Sequence, residues 1–259
     1  MKRNTTSSIV AVCGMIFGLP LTGIADTVFT ITTTSADAFL TAASPTLNFG
    51  SAGTLAIAPS SSAKGEFDSV IMFNTAGAIS QFNTAYGTGN WTINGLRLSL
   101  ASTFGTQGGQ PNNAIFNTIN AGNFGIDWLA NDSWVEGTGG GNGAANRAVS
   151  FNSISALLAP GYDSLGTYSY TPSGNNVYVN YSLALDPNLV SDAAASGAVS
   201  FYFYAADNQI GYLFNSREFA SNHPQLTITA TPVPEPASVV LLSLTLGGLF
   251  VLRGEGRRK

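Results

Sequence analysis

The sequence predicts an all-β protein: an antiparallel β-sandwich with an N-terminal signal peptide and one C-terminal transmembrane helix. Three observations predict it. Short apolar runs alternate with polar residues along the chain, which is typical of half-buried strands. Only 9% of the 259 residues are charged, whereas 29 are glycine, a residue that accepts the backbone angles of tight turns. An uncharged apolar block lies near each end of the chain.

The first 25 residues have the order of charged and apolar residues expected of a secretory signal peptide. Lys2 and Arg3 precede an uncharged stretch over residues 9–21, and small residues follow it. We therefore expect a signal peptidase to cut between Ala25 and Asp26. The single cysteine of the chain lies within this segment, so the mature protein is expected to contain none.

Residues 232–259 form a tail with three parts. Pro234, Glu235 and Pro236 precede an uncharged run over 237–252, and four basic residues follow that run. A helix over this run would be about 24 Å long, so it would cross a bilayer core of about 30 Å only with thinning or snorkelling. The positive-inside rule keeps the basic end in the cytoplasm and places the body across the membrane.

This ordered tail resembles the PEP-CTERM sorting signal, in which a Pro-Glu-Pro motif precedes a short transmembrane helix and a basic end. The resemblance implies recognition by an exosortase in a Gram-negative bacterium that makes exopolysaccharide. It further implies anchoring in the inner membrane with the body in the periplasm, followed by processing and release to the cell surface or extracellular matrix. The alternative interpretation is an ordinary C-terminal anchor behind a proline-rich linker.

Between the two ends, residues 26–231 are expected to form one domain, because no linker-like stretch divides them. Residues 26–236 contain four basic and thirteen acidic residues, a formal charge of −9. The chain therefore offers no cationic surface that would displace counterions from phosphates, and a nucleic-acid partner is not expected.

Eight segments of the body are predicted to be strands. In one of them Leu96, Leu98 and Leu100 share a face, which implies one buried and one solvated side. Because these segments are short and separated by Gly- and Asn-rich turns, they predict two packed antiparallel sheets. The predicted strands are residues 28–32, 54–58, 69–73, 92–100, 114–117, 177–184, 198–205 and 225–229.

Two segments between the strands are predicted to be helical. Asp186 as an N-cap and Pro187 in the first turn predict a helix over residues 188–195. Residues 150–158 are expected to form another turn or two before a Pro-Gly pair. The glycine-rich segment 137–143 is predicted to be a mobile loop.

Several weak motifs, taken in order over residues 28–230, resemble DNRLRE-type domains, also called disaggregatase-related domains. That resemblance implies a jelly-roll-like β-sandwich of secreted and surface proteins, which serves in some members as a carbohydrate-binding module. In a structural interpretation of these motifs, Trp134 enters the core, Gly137 turns the chain, and Arg217 pairs with Glu218. The alternative is ligand contact. The motifs lie at residues 36–40, 48–50, 54–57, 71–73, 93–98, 134–138, 214–218 and 224–228.

No catalytic residue is assigned, and the chain is not expected to be an enzyme. The body has one histidine, His223, and no Gly-x-Ser-x-Gly elbow to support a triad through it. Asp127, Asp132 and Glu136 lie close in sequence, which leaves open a glycosidase pair or, more plausibly, a calcium site built from carboxylates. No other cofactor is expected. Acidic residues in Asn-rich loops are usually only solvated.

Trp91, Trp128 and Trp134 are candidate glycan contacts, because flat aromatic rings beside amide groups suit sugar rings. The same tryptophans suit an ordinary sandwich core. The leading hypothesis is a non-catalytic surface or matrix protein associated with exopolysaccharide. Two alternatives remain open: a secreted polysaccharide-active enzyme, and a purely structural module that binds other matrix proteins.

Overall fold

The computed structural model describes residues 25–102, 121–139, 143–144, 148–170, 176–195 and 197–233. Nearly all of the predicted signal peptide, the strand predicted at 114–117, and the sorting motif with its transmembrane helix lie outside these ranges. Within the described ranges, no helix has the length and apolar character needed to cross a membrane.

The described chain is built mainly from antiparallel strands, joined by three short α-helices and one turn of 3-10 helix at Phe151–Ser153. The helices are α1 (Ala76–Tyr86), α2 (Ile154–Leu158) and α3 (Pro187–Ala195). The strands are β1 (Thr27–Ile31), β2 (Ala36–Thr41), β3 (Leu47–Asn48), β4 (Thr54–Ile57), β5 (Phe67–Asn74), β6 (Trp91–Ala101), β7 (Gly122–Leu129), β8 (Gly143–Ala144), β9 (Tyr162–Tyr170), β10 (Tyr178–Ser182), β11 (Ala198–Ala205), β12 (Tyr212–Asn215) and β13 (Gln225–Pro232).

Two sheets form the body of the protein. One has four strands in the order β1-β13-β6-β10, and the other has five in the order β2-β5-β11-β7-β9. Two short pairs, β4 with β12 and β3 with β8, lie beside them. Every described strand pairing is antiparallel, so the prediction of an antiparallel β-sandwich is confirmed.

The main core lies between the two sheets. Leu98 and Leu100 of β6 are fully buried there, as their alternation predicts, and they pack with Tyr181 of β10. From the five-stranded sheet, Phe124 and Phe201 enter the same core. Helices α1 and α3 close it, since each buries two residues of one face.

A second, smaller core covers the outer face of the five-stranded sheet. Leu40, Val70 and Tyr202 of that face are buried under Val149 and Leu157, which precede and form part of α2. The five-stranded sheet is therefore buried on both faces. By contrast, the outer face of the four-stranded sheet is polar, and Val28 at its edge is 54% exposed.

Both predicted helical segments are confirmed. The Asp186 Oδ1 atom accepts hydrogen bonds from the backbone N–H groups of Asn188 (2.8 Å) and Leu189 (3.2 Å), which is the predicted N-cap of α3. The expectation of only two helical interruptions is wrong, because α1 is a third helix. It escapes the sequence pattern because only Ala78 and Phe82 are buried along its 11 residues.

Two parts of the segment predicted to be a mobile loop, residues 137–139 and 143, lie against β3 in the described structure. Gly143 pairs with Asn48 in the β3–β8 ladder. Gly137 has φ +78°, and a Cβ atom placed on it would lie 2.5 Å from Asn48 Oδ1. The glycines here allow close packing against β3, rather than free movement.

Candidate functional site

Arg217 is the centre of a charged cluster in which three of the sequence motifs meet. Its guanidinium forms ion pairs with Glu136 and with Glu218, the latter at 2.7 Å between Nε and Oε1. It also donates to the backbone carbonyl of Ser35. The predicted Arg217–Glu218 pair is thus confirmed. We call Asp37, Glu136, Arg217 and Glu218 the Arg217 cluster.

Asp37 supplies the buried part of this cluster, since it is only 1% exposed on β2. Its Oδ2 atom accepts hydrogen bonds from the Thr34 hydroxyl (2.6 Å) and from the Arg217 backbone N–H (3.0 Å). Burial raises the pKa of the Asp37 carboxyl to about 7, although both hydrogen bonds act in the opposite direction.

The Arg217 cluster protects an edge of the five-stranded sheet. β2 is the outermost strand, and its Asp37 N–H donates to Glu136 Oε1 at 2.8 Å. An edge strand with unpaired N–H groups would otherwise be open to pairing with another chain. Asn48 fixes the Glu136 segment in turn, because its Nδ2 donates to the Glu136 carbonyl at 2.6 Å. The geometry gives this motif a structural role.

A metal ion is the other chemistry that the cluster suggests. Oxygens of Asp37, Glu136 and Glu218 lie within 4.8 Å of one another, which is a spacing that a calcium ion accepts. Arg217, however, already supplies the positive charge beside Glu136 and Glu218. The cluster includes only Glu136 of the three residues predicted as calcium ligands.

The other two predicted ligands have different partners. Asp132 accepts a hydrogen bond from the Ser200 hydroxyl at 2.6 Å, and Ser200 accepts one from the Trp134 indole N–H at 3.0 Å. Asp127 lies in β7 rather than in a loop and is 5% exposed, with the Tyr204 hydroxyl at the outer limit of hydrogen bonding. Burial raises the pKa values of the Asp127, Asp132 and Glu136 carboxyls.

Sequence reasoning missed Asp68, which is fully buried on the outer face of the five-stranded sheet. Its Oδ2 atom accepts a hydrogen bond from the Tyr202 hydroxyl at 2.7 Å. Its Oδ1 atom has no hydrogen-bond partner among the described residues, and burial raises the pKa of the carboxyl to about 7. The only sequence signal for it is an aspartate at the start of an otherwise apolar strand.

Two of the three candidate tryptophans are packed within the protein. Trp128 is 7% exposed in the main core, and its indole N–H donates to Asp192 on α3 at 2.8 Å. Trp134 packs against the second core and lines a small cavity of about 120 Å³. Trp128 therefore offers no exposed ring face to a ligand, and the depression beside Trp134 is small.

Trp91 differs from the other two tryptophans, because it lines an open groove between α1 and α3 of about 410 Å³. Its indole N–H donates to Asn83 Oδ1 at 2.8 Å, and its ring contacts Phe82 at a centroid distance of 5.2 Å. We call this the Trp91 groove; its lining includes Asn83, Thr88, Trp91, Thr92, Val190 and Ser191. A second groove adjoins it and shares Ile79 and Asn83.

The remaining predicted sites are a histidine and the two processing regions. His223 lies in a loop, and its Nε2 atom is 2.8 Å from the Phe219 carbonyl. At the predicted cleavage site, the Tyr86 hydroxyl donates to the Ala25 carbonyl, and Asn94 donates to Asp26 Oδ2 at 3.0 Å. The sorting motif, Pro234 to Pro236, lies outside the described residues.

Comparison with known proteins adds no family to this picture. No protein-family model matches the chain, and no curated protein is significantly similar to it. The site must therefore be interpreted from its own geometry.

Proposed function

We propose that this protein is an exported, non-catalytic, jelly-roll module that binds polysaccharide at the cell surface or in the extracellular matrix. The strand order supports the jelly-roll interpretation. The first and last strands, β1 and β13, lie side by side in one sheet, and β5, β11, β7 and β9 are neighbours in the other. This arrangement interleaves two Greek keys, as a jelly roll requires.

The Trp91 groove is the observation that carries the binding proposal. It combines part of an indole ring with the Asn83 amide and the hydroxyls of Thr88, Thr92 and Ser191. An aromatic surface packs against the C–H groups of a sugar, while amides and hydroxyls exchange hydrogen bonds with its hydroxyl groups.

The ends of the chain support the export and sorting parts of the proposal. β1 begins at Thr27, immediately after the predicted cleavage site, and β13 ends at Pro232, just before the Pro-Glu-Pro motif. In this proposal a signal peptidase removes residues 1–25. An exosortase in the inner membrane then processes the tail beyond Val233.

The partners of the acidic residues favour binding over catalysis. A glycosidase needs one carboxylate free to donate a proton and another free to attack or to activate water. Here Glu136 pairs with Arg217 and with the Asp37 N–H, and Asp132 accepts from Ser200. Both carboxylates therefore hold parts of the fold together, and neither is free to act as an acid or a nucleophile. The enzymatic alternative would require release of reducing ends from the polysaccharide, lost in Asp127→Ala or Glu136→Ala.

Affinity electrophoresis of the purified protein in gels that contain the host's own extracellular polysaccharide tests the proposal. We expect wild-type protein to be retarded, and Trp91→Leu to lose about threefold to tenfold in affinity, since an aromatic face contributes on the order of 1 kcal/mol. Trp91→Phe should recover part of the retardation. Gels with calcium and gels with EDTA test whether binding depends on calcium.

Trp134→Phe is the matched control, because Trp134 lies away from the groove and its replacement keeps an aromatic ring in the second core. It should migrate as wild type does. If wild-type protein migrates freely with and without calcium, the polysaccharide proposal fails. Capture of other matrix proteins without any retardation by polysaccharide would then favour the structural alternative.

A further inference from the structure

The outer face of the four-stranded sheet is a second surface that the Trp91 groove does not include. The five-stranded sheet is covered by the second core, whereas on this face the side chains of Val28, Arg97 and Ser182 are exposed. A shallow depression of about 490 Å³ crosses it between β1, β13, β6 and the end of β10. We call it the open face.

Arg97 lies at the centre of the open face. In the strand register it is opposite Thr227 of β13 on one side and Ser182 of β10 on the other, and Thr30 continues the same row. Its side chain is exposed, and within the described part of the chain its guanidinium has no hydrogen bond or ion pair. A permanent positive charge therefore lies in a row of hydroxyl groups.

The residues that line the depression with Arg97 provide hydrogen-bonding groups, and no Asp or Glu is among the described lining residues. Thr229 and Asn94 lie towards one end, where Asn94 donates to Asp26 Oδ2 at 3.0 Å, so the nearest carboxylate there already has a partner. Gly95 leaves room at the bottom of the depression, since a Cβ atom on it would lie 3.3 Å from the Thr229 side chain. The lining thus differs from the body as a whole, because residues 26–236 carry a formal charge of −9.

We propose that the open face binds an acidic polysaccharide through the carboxylate of a uronic-acid unit, held by Arg97. A guanidinium donates two parallel N–H groups to a carboxylate, a fit that neutral sugars lack. The flanking hydroxyls of Thr229 and Ser182 suit the sugar hydroxyls beside that carboxylate, whereas the buried Thr227 hydroxyl hydrogen-bonds with that of Thr30 at 3.1 Å. The proposal rests on the proposed function only in taking the ligand to be a polysaccharide.

The acidic body limits which anions the open face can bind, because residues 26–236 carry a formal charge of −9 and repel any polyanion. One arginine beside hydroxyl groups matches a carboxylate that lies between neutral sugar hydroxyls better than it matches the dense phosphates of a nucleic-acid duplex or an anionic membrane. The exposed pair contributes little and is screened by salt, so binding is expected to be weak and to weaken further as the salt concentration rises.

The test compares polygalacturonate with the same polymer after full methyl esterification, which removes the charge and retains the backbone. Binding is measured with the full-length chain in mild detergent and EDTA. We expect wild-type protein to prefer polygalacturonate, with a preference that shrinks between low and high salt. Arg97→Gln should lower affinity for polygalacturonate by about threefold to tenfold and abolish the preference, while Arg97→Lys retains part of it.

Lys64→Gln is the control, because Lys64 is also exposed and lies outside the depression. It should bind as wild type does. Equal wild-type affinity for the two polymers, or unchanged affinity in Arg97→Gln, overturns the proposal. Equally tight, Arg97-dependent binding of polyglutamate would also overturn it, in favour of an acidic protein ligand. Trp91→Leu should keep the preference for polygalacturonate whether or not the Trp91 groove binds polysaccharide, so the two proposals can fail independently.

Discussion

At the scale of single residues, the charged groups of this protein mostly stabilise its fold. Asp37 and Asp68 are buried carboxyls that each accept a hydrogen bond from a hydroxyl, and burial raises the pKa of both to about 7. An unpartnered oxygen, such as Asp68 Oδ1 among the described residues, costs less when its carboxyl is protonated. Both groups therefore link stability to pH.

The direction of this pH dependence follows from proton uptake. An unfolded aspartate has a pKa of about 3.9, so between about pH 4 and pH 7 the folded protein binds protons at Asp37 and Asp68 that the unfolded chain lacks. The stability from these groups is complete below pH 4 and is lost as pH rises through 7. Each group contributes up to about 1.4 kcal/mol per pH unit in this window.

Replacement of Asp68 tests this at one site. Asp68→Asn should remove part of the fall in the free energy of unfolding between pH 5 and pH 8, measured by urea denaturation, while the other buried carboxyls keep the rest. Tyr202→Phe removes a hydrogen bond that lowers the pKa of Asp68, so in that variant the fall should extend to higher pH. An Asp68→Asn protein with the full wild-type pH dependence would contradict the assignment.

At the scale of elements, alternation predicts β6 and continuous apolar runs predict β5 and β11, whereas β7 and β9 show neither pattern. β6 alternates because its outer residues, such as Arg97, face solvent. β7 does not alternate, since it is buried on both faces, and it was not predicted. β9 was missed because Gly, Ser and Asp make it look like a turn. The packing of the second core that hides β7 depends on contacts distant in sequence.

The candidate sites follow the same rule. Local signals correctly predicted the Arg217–Glu218 pair and the Asp186 cap, because both partners are neighbours in sequence. The Arg217–Glu136 contact joins residues 81 positions apart and could not be read from spacing. The choice of Trp91 over Trp128 for an open groove likewise depends on the fold, because only the structure shows which indole is covered.

Gly137 tests how tightly the connecting segments pack. Gly137→Ala would put a Cβ atom 2.5 Å from Asn48 Oδ1 and 2.6 Å from Ala148 Cβ, at φ +78°. Gly197 has the same φ but no atom within 4 Å of the added Cβ, so Gly197→Ala measures the backbone cost alone, about 1 kcal/mol. Urea unfolding should show Gly137→Ala to be less stable than Gly197→Ala by a further 1–3 kcal/mol, roughly the cost of overpacking. Equal losses of unfolding free energy in the two variants would show that the segment around Gly137 shifts to make room for the added Cβ atom without cost.

At the scale of the whole molecule, the start of β1 and the end of β13 lie at the same end of the four-stranded sheet. Thr27 at the start of β1 is opposite Ala230 of β13, and Trp91 is opposite Pro232 at the end of that strand. A single residue, Val233, separates this strand from the Pro-Glu-Pro motif, and its N–H donates to the Asn90 carbonyl. In the proposed topology the Trp91 groove is therefore close to the membrane until the tail is processed, whereas the open face extends away along the sheet.

Processing is the prediction that belongs to this scale. In its native host, the mature protein released from cells should begin at Asp26 and lack the apolar run over 237–252, which intact-mass spectrometry would show directly. Glu235→Ala should leave the tail attached and the protein in the inner-membrane fraction, because the proposed exosortase motif is lost while the helix remains. Glu66→Gln is the control, because it also removes one negative charge but lies in the body; this variant should be processed normally. Released protein that still carries residues 237–252 would refute exosortase processing, and the polysaccharide proposals would then have to stand on the Trp91 groove and the open face alone.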